Sequence, residues 1–246
     1  MSGTKITEAA DAIRKAKKTV ALTGAGVSTE SGIPDFRGRN GLWSRYDPME
    51  YGAIGAFRRD PARVWKMLAE LADIVEAEPN PGHKALADLE KKGYLKGIIT
   101  QNIDSLHRKA GSLTVVEFHG NLESFSCLEC GNILQSDRVR KMALPPLCPS
   151  CGHIVKPDIV FFDEQIKEEM LCKADELTNG ADCLIVAGTS CQVMPAALIP
   201  SRVSQHGGTI IEINKEPALG ALADLVLAGS FSAIMTELVD ELSGDG

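Results

Sequence analysis

"TGAGVSTESGIPDFRG", Thr23 to Gly38, follows directly on the β-branched run "TVAL". A strand that ends in Gly-Ala-Gly and leads into a helix turns backbone N–H groups toward an anion such as a phosphate. The dinucleotide fingerprint G-x-G-x-x-G requires a third glycine at position 29, and Thr29 stands there. The next glycine, Gly32, precedes Ile33 rather than a lysine, which excludes a P-loop. The acid expected at the end of a second strand about 20 residues on is missing too, because a loop-rich segment intervenes. Gly24 and Gly26 thus mark either an atypical nucleotide turn or a purely structural one. Pro34, Asp35, Phe36 and Arg37, immediately behind the turn, have no role in either.

Working outward, short apolar runs suited to buried parallel strands recur at 19–23, 96–100, 115–118, 158–162, 183–188, 209–213 and 224–227. Helical patterns at 61–78, 81–92, 167–178 and near 232–242 separate most of them. This alternation predicts an α/β fold, a doubly wound parallel Rossmann-like sheet covered on both faces. Two segments break the rhythm and are expected to form a smaller zinc-binding and helical module. They are a loop-and-helix insertion at 38–78 and a zinc-ribbon insertion at 122–156, leaving 1–37, 79–121 and 157–246 as the core.

The 246 residues are 44% hydrophobic, enough for a sizeable core. No stretch approaches the roughly 18–20 apolar residues of a membrane span. "MSGTKITEAADAIRKAKK" reads as an amphipathic helix without the apolar centre of a secretion signal, so a cytoplasmic location is expected. A formal net charge of −7 argues against a dedicated nucleic-acid binder, and "RVRK" (138–141) is too small a basic patch to offset it. The same balance favours a basic substrate.

Of seven cysteines, four have metal-ligand spacing: "CLEC" supplies Cys127 and Cys130, and "CPSC" supplies Cys148 and Cys151, with 17 residues between the pairs. Four thiolates leave no position for water, so zinc here would be structural. A redox dithiol is the competing reading, and His153 could replace one cysteine.

Polar clusters sit at four strand ends, where open α/β sheets bind ligands. "TQNID" offers Gln101, Asn102 and Asp104, which suit a ribose and a carboxamide but equally suit helix capping. "EFHGN" places His119 at a second end, and "GTS" (188–190) and "EIN" (212–214) occupy two more.

These motifs, "GAGVSTESGIPDFR", "TQNID", "FHG", the paired C-x-x-C, "KPDIVFFDE", "GTS" and "EIN", occur in the order found in the sirtuins. The chain resembles that family of NAD-dependent protein deacylases over roughly residues 6–242. The resemblance implies NAD and Zn(2+) as cofactors and an acetyl-lysine-containing protein or peptide as substrate. It places Gly24, Ala25, Gly26 and Ser28 by the pyrophosphate, and makes Asp35, Phe36 and Arg37 a mobile loop over the nicotinamide ribose. By the same resemblance Gln101, Asn102, Ile103 and Asp104 serve the ribose and the carboxamide. Gly188, Thr189, Ser190, Asn214 and Lys215 match the adenosine side. His119 is the implied base, with Asn102 orienting the ribose and a water. The peptide would lie between Val160, Phe161, Phe162, Asp163 and Glu164 on one side and Cys191 and Val193 on the other. Asp163 stands where the family usually has glycine, and Met194 where tyrosine is common. Family members that prefer acidic acyl groups carry a tyrosine and an arginine over the acyl pocket. The expectation here is Ala69 and Glu70 at those positions, with Lys66 as the one basic residue, Glu70, Asp73, Glu76 and Glu78 repelling an anion, and Met67 and Leu68 either an apolar wall for a neutral acyl group or core residues of an amphipathic helix. That favours acetyl over succinyl, with longer aliphatic acyl groups or protein ADP-ribosyl transfer as alternatives at the same site.

Overall fold

The computed structural model describes residues 2–38, 41–71 and 76–244. Its strands are β1 (Thr19–Thr23), β2 (Leu95–Thr100), β3 (Val115–Glu117), β4 (Gly120–Cys127), β5 (Ile133–Gln135), β6 (Val155–Ile159), β7 (Cys183–Ala187), β8 (Thr209–Asn214) and β9 (Leu225–Ala228). Six of them form one sheet in the order β3-β2-β1-β7-β8-β9, and every neighbouring pair in it is parallel. The strand order reverses between β1 and β7, and a crevice opens at the carboxyl ends of those two strands.

Alternation along the strands decides which helices cover which face. In β1, Val20 and Leu22 point to one face, where they meet Ala174, Ile199 and Val203 of helices Glu168–Thr178 and Leu198–Gln205. Ala21 points to the other, against Ile6, Ala9, Ala10 and Ile13 of helix Ser2–Lys15. That helix carries its apolar residues three and four apart, so they form a single buried stripe. Helix Phe231–Ser243 does the same with Phe231, Ile234, Met235, Leu238 and Leu242. No helix among the described residues is long and apolar enough to cross a membrane.

The remaining strands form a small antiparallel sheet in the order β5-β4-β6. The run at 158–162 therefore differs from its expectation as a parallel strand of the main sheet. Its ladder begins earlier, at Val155, and pairs with β4; beyond Ile159 the chain leaves the ladder and bridges Ala53 through Phe162. A short apolar run does not encode its partner sheet. The small sheet shares one apolar cluster with helices Ile54–Arg59 and Pro61–Glu70, through Phe57, Trp65, Leu68, Phe125, Leu134 and Val155. Trp65 stacks on Phe125 at 5.8 Å between ring centroids, and its indole N–H donates to the Val155 carbonyl at 3.0 Å.

Cys127, Cys130, Cys148 and Cys151 gather at the edge of this sheet with their sulfurs all within 4.8 Å of one another. Three of the pairs lie 3.4, 3.6 and 3.4 Å apart. A tetrahedron with Zn–S bonds of about 2.3 Å has edges of about 3.8 Å, so the group fits zinc. Burial opposes the charged thiol of Cys148, but backbone N–H groups of Ser150 and Cys151 pull it down to about 6. His153 stands outside the group, with its ring on the Cys151 carbonyl. Zinc would close a sheet whose own apolar core is small, which sets the test. Cys148→Ala should remove the single zinc equivalent, read by metal analysis, and lower stability by several kcal/mol, read by thermal melting. A zinc-free wild-type protein that keeps its fold would overturn the structural role.

Candidate active site

The turn after β1 is held against the end of β7 by backbone alone. Gly24 N–H donates to Ala187 O at 3.1 Å and Gly26 N–H to Gly188 O at 2.9 Å. A Cβ at Gly26 would lie 2.8 Å from Gly188 Cα, and one at Gly188, whose φ is +60°, would lie 2.3 Å from the Val27 nitrogen. Both glycines are therefore required by close approach, and no third glycine is needed because the turn is a short 3₁₀ helix, Ala25–Ser31.

A cavity of about 1560 Å³ opens above this junction. Small-molecule sites usually occupy about 300–1,000 Å³, so this one has room for two substrates at once. Gly24, Ala25 and Gly26 line it, as do Asp35, Phe36 and Arg37 from the following loop. Gln101, Asn102, Ile103 and His119 contribute from the ends of β2 and β3. Gly188, Thr189, Ser190, Asn214 and Lys215 close the β7–β8 side, and Val160, Phe161, Phe162, Asp163, Glu164 and Val193 the opposite one. Ser28, Asp104 and Cys191 are not in the wall. Burial, with the Glu212 carboxylate adding to it, pushes the Cys191 thiol up to about 11, so it is a packed side chain rather than a reactive one.

Ser28 and Asp104 sit directly behind Asn102. The Ser28 hydroxyl donates to Asp104 Oδ2 at 2.6 Å and accepts from Asn102 Nδ2 at 3.1 Å. With its one proton committed, Ser28 can only accept from His83 Nε2, 3.5 Å away, while His83 Nδ1 accepts from the Asn80 N–H at 3.3 Å. The ring is thus neutral with its proton on Nε2. Burial drives the pKa of His83 down to about 4 and that of His107, 4.9 Å away, well below its ordinary value. Asn102 Oδ1 is buried without a protein partner and is an acceptor left for a ligand. On the other side of the same turn, His119 Nδ1 lies 3.0 Å from the Gln101 carbonyl. A carbonyl only accepts, so Nδ1 carries the proton and Nε2 the free lone pair. Burial lowers the His119 pKa; the Gln101 carbonyl raises it and Arg37 lowers it further.

The loop after Arg37 is closed by Leu42 N–H to Asp35 O at 2.9 Å and Trp43 N–H to Phe36 O at 3.0 Å. Phe36, Trp43 and Phe162 form an aromatic row with centroid spacings of 5.6 and 5.8 Å. The segment that follows β6 is pinned by Lys156, whose buried ammonium donates to the carbonyls of Pro157 and Ile159 at 3.0 and 2.8 Å and pairs with Glu164 at 3.2 Å. Asp163 takes φ +61° there, a conformation that favours glycine.

The acyl-pocket expectation needs correcting in its residues. Ala69 and Glu70 face solvent, and Glu70 bonds Tyr46 and pairs with Arg45 at 3.3 Å. Met67 and Leu68, expected as an apolar wall or as core, line the cavity and are buried, and Leu71, one helical turn beyond Leu68, joins them. Side chains three apart share a helix face, and Ala69 and Glu70 lie on the other one. Lys66 and Glu78 are exposed, Glu76 pairs with Arg140 at 3.1 Å, and Asp73 lies outside the described residues. The sequence reading also missed Trp43, His83 and His107. Trp43 had a usable signal, an aromatic residue just after Gly41, but two buried histidines 24 positions apart had none.

A model of the Sir2 family matches residues 24–195. The chain is 44% identical to an NAD-dependent protein deacylase of Pyrococcus furiosus, over 96% of this chain and 97% of that one. It is 42% identical to an NAD-dependent protein deacetylase of Thermodesulfovibrio yellowstonii, over 98% and 96%. Among solved structures, a crystal structure of a Sir2 homologue–NAD complex superposes with a TM-score of 0.90 at 43% identity, covering 96% of this chain and 93% of that chain.

The buried histidines set an acid limit on stability. The unfolded chain protonates His83 near 6.5 while the native one resists to about 4. The contribution is therefore full above 6.5 and is lost as pH falls toward 4. Denaturant melts should show a loss on the order of 2–3 kcal/mol across that interval, and a shallower slope in His83→Gln.

Proposed function

The chain belongs to the Sir2 family, and from that we propose that it removes acetyl groups from protein lysine side chains, consuming NAD. The observation that carries this reading is the turn at Gln101 and Asn102. Its two sides present an unpaired amide oxygen and an imidazole lone pair to one cavity, beside the Gly24–Gly26 turn suited to a pyrophosphate. The chemistry is a transfer in which the acyl oxygen of an acyl-lysine bonds to the anomeric carbon of the nicotinamide ribose. Nicotinamide leaves with the bonding electrons, water releases the lysine, and the acetyl group ends on ADP-ribose.

His119 takes a proton at Nε2 from a ribose hydroxyl, since Nδ1 is committed to Gln101. Asn102 orients the ribose and a water through Oδ1. Ile103 flanks the carboxamide, and Asp104, behind the wall, holds Ser28 and through it the Asn102 amide. Phe36, backed by Trp43, keeps water from the reacting sugar carbon. Gly188, Thr189, Ser190 and Asn214 hold the adenosine side. The peptide enters between Phe162–Glu164 and Val193, where main-chain pairing gives affinity with little demand on sequence.

His119→Ala should retain ADP-ribose binding, because the glycine turn and Asn214 are untouched, while deacetylation falls by about 10²–10⁴-fold. Because burial holds the ring below its ordinary 6.5, the wild-type rate should decline only on the acid side of that value. An active His119→Ala enzyme would move the base elsewhere.

Leu68, Leu71 and Met67 give the acyl pocket an apolar wall, and no charged residue of the described part of 64–80 lines it. A neutral acyl group suits that wall, longer aliphatic chains included. A carboxylate would be buried unpaired, so kcat/KM on a succinyl peptide should be at least about 100-fold below that on its acetyl counterpart. Equal turnover would reveal a cation in the pocket.

A further inference from the structure

Glu212 has no exposed surface, lies in β8 two residues before its cavity end at Asn214, and has no part in the reaction described above. All its contacts come from N–H donors. Oε1 accepts from Asn214 Nδ2 at 2.7 Å, Ala218 N at 2.6 Å and Leu219 N at 3.3 Å, and Oε2 accepts from Leu219 N at 3.3 Å. Asn214 lines the cavity, and its Nδ2 donates a second time, to the Thr189 carbonyl at 3.2 Å. Both partners of that amide corner, a carboxylate and a carbonyl, are pure acceptors. The corner must therefore be the nitrogen, both of its protons are spent inside the protein, and only Oδ1 remains for a ligand.

We propose that Glu212 is a positioning residue that locks the Asn214 amide so that an acceptor, never a donor, faces the bound dinucleotide. The lock selects a hydroxyl or amino donor of the ligand at that point. Through Ala218 and Leu219 it also ties the loop after β8 to the same carboxylate, so the amide and the rim of the cavity move as one body. The inference rests on the reading that the cavity holds the dinucleotide.

The test uses ADP-ribose as the probe, titrated calorimetrically into the full-length zinc-loaded protein. Asn214→Asp removes both amide protons and sets a carboxylate against Glu212 and the Thr189 carbonyl. Glu212→Gln keeps one acceptor oxygen and adds an N–H donor that can turn toward an aspartate. Glu212→Gln alone should weaken ADP-ribose binding by about threefold, because one of its two acceptor oxygens is lost, and Asn214→Asp should weaken it by about 30-fold. The combination should recover about tenfold of that loss. The rescue distinguishes positioning from a general structural role, because damage to packing would accumulate rather than cancel. Additive losses in the double variant would overturn the proposal while leaving the cavity reading intact. An Asn214→Ala protein that binds ADP-ribose as well as wild type would overturn the cavity reading, and the lock with it.

Discussion

The active site depends on two backbones being allowed to touch. Where β1 ends and β7 ends, the strand order reverses, and the two loops cross with Gly26 donating to the Gly188 carbonyl at 2.9 Å. The crossing leaves no room for a side chain on either residue, and it fixes the height at which every later strand end meets the cavity. Gln101 N–H bonds the Thr23 carbonyl, and Gln101 Nε2 bonds Thr189 Oγ1, so the β2 loop is referenced to both partners of the crossing. Gln101, with Asn102 and His119 on either side of it, and Thr189 across the cavity take their relative positions from this crossing. A site assembled on strand ends holds its geometry without long loops doing the aligning.

Much of this was legible because it depends on local chemistry. The runs "TVALT", "CLIVAG" and "TIIEI" became central parallel strands because buried parallel strands need continuous apolar residues. The cysteine spacing forecast the four-sulfur group because a C-x-x-C turn brings two thiols to one point. The rest depends on contacts that no local pattern records. The run at 158–162 went to the small sheet because β4, not a neighbour in sequence, was its available partner. Ala69 and Glu70 were assigned inward although each stands one residue away from a cavity-lining leucine, and on a helix one residue is about 100° of rotation. His83 and His107 are invisible as single letters, since their meaning comes from being buried beside partners far along the chain, and Glu212 was legible only as part of the polar strand end "EIN".

The two segments that interrupt the strand–helix rhythm are joined through apolar contact. Trp65 stacks on Phe125 at 5.8 Å, and Cys127 and Cys148 belong to the same cluster as Phe57 and Trp65. Met67, Leu68 and Leu71 contribute both to this cluster and to the cavity wall. The four-cysteine group thereby reaches the cavity at a distance: it closes the sheet on which the helix carrying Leu68 is packed.

The bond between His119 Nδ1 and the Gln101 carbonyl also limits the traffic of protons. A histidine with both nitrogens facing mobile partners can pass a proton in at one edge and out at the other. Here one edge is closed by a main-chain oxygen that cannot accept a proton for keeps, and the ring cannot turn without breaking that bond. A proton that arrives at Nε2 has to leave from Nε2, on the side that faces the cavity. The imidazole is a dead end rather than a wire.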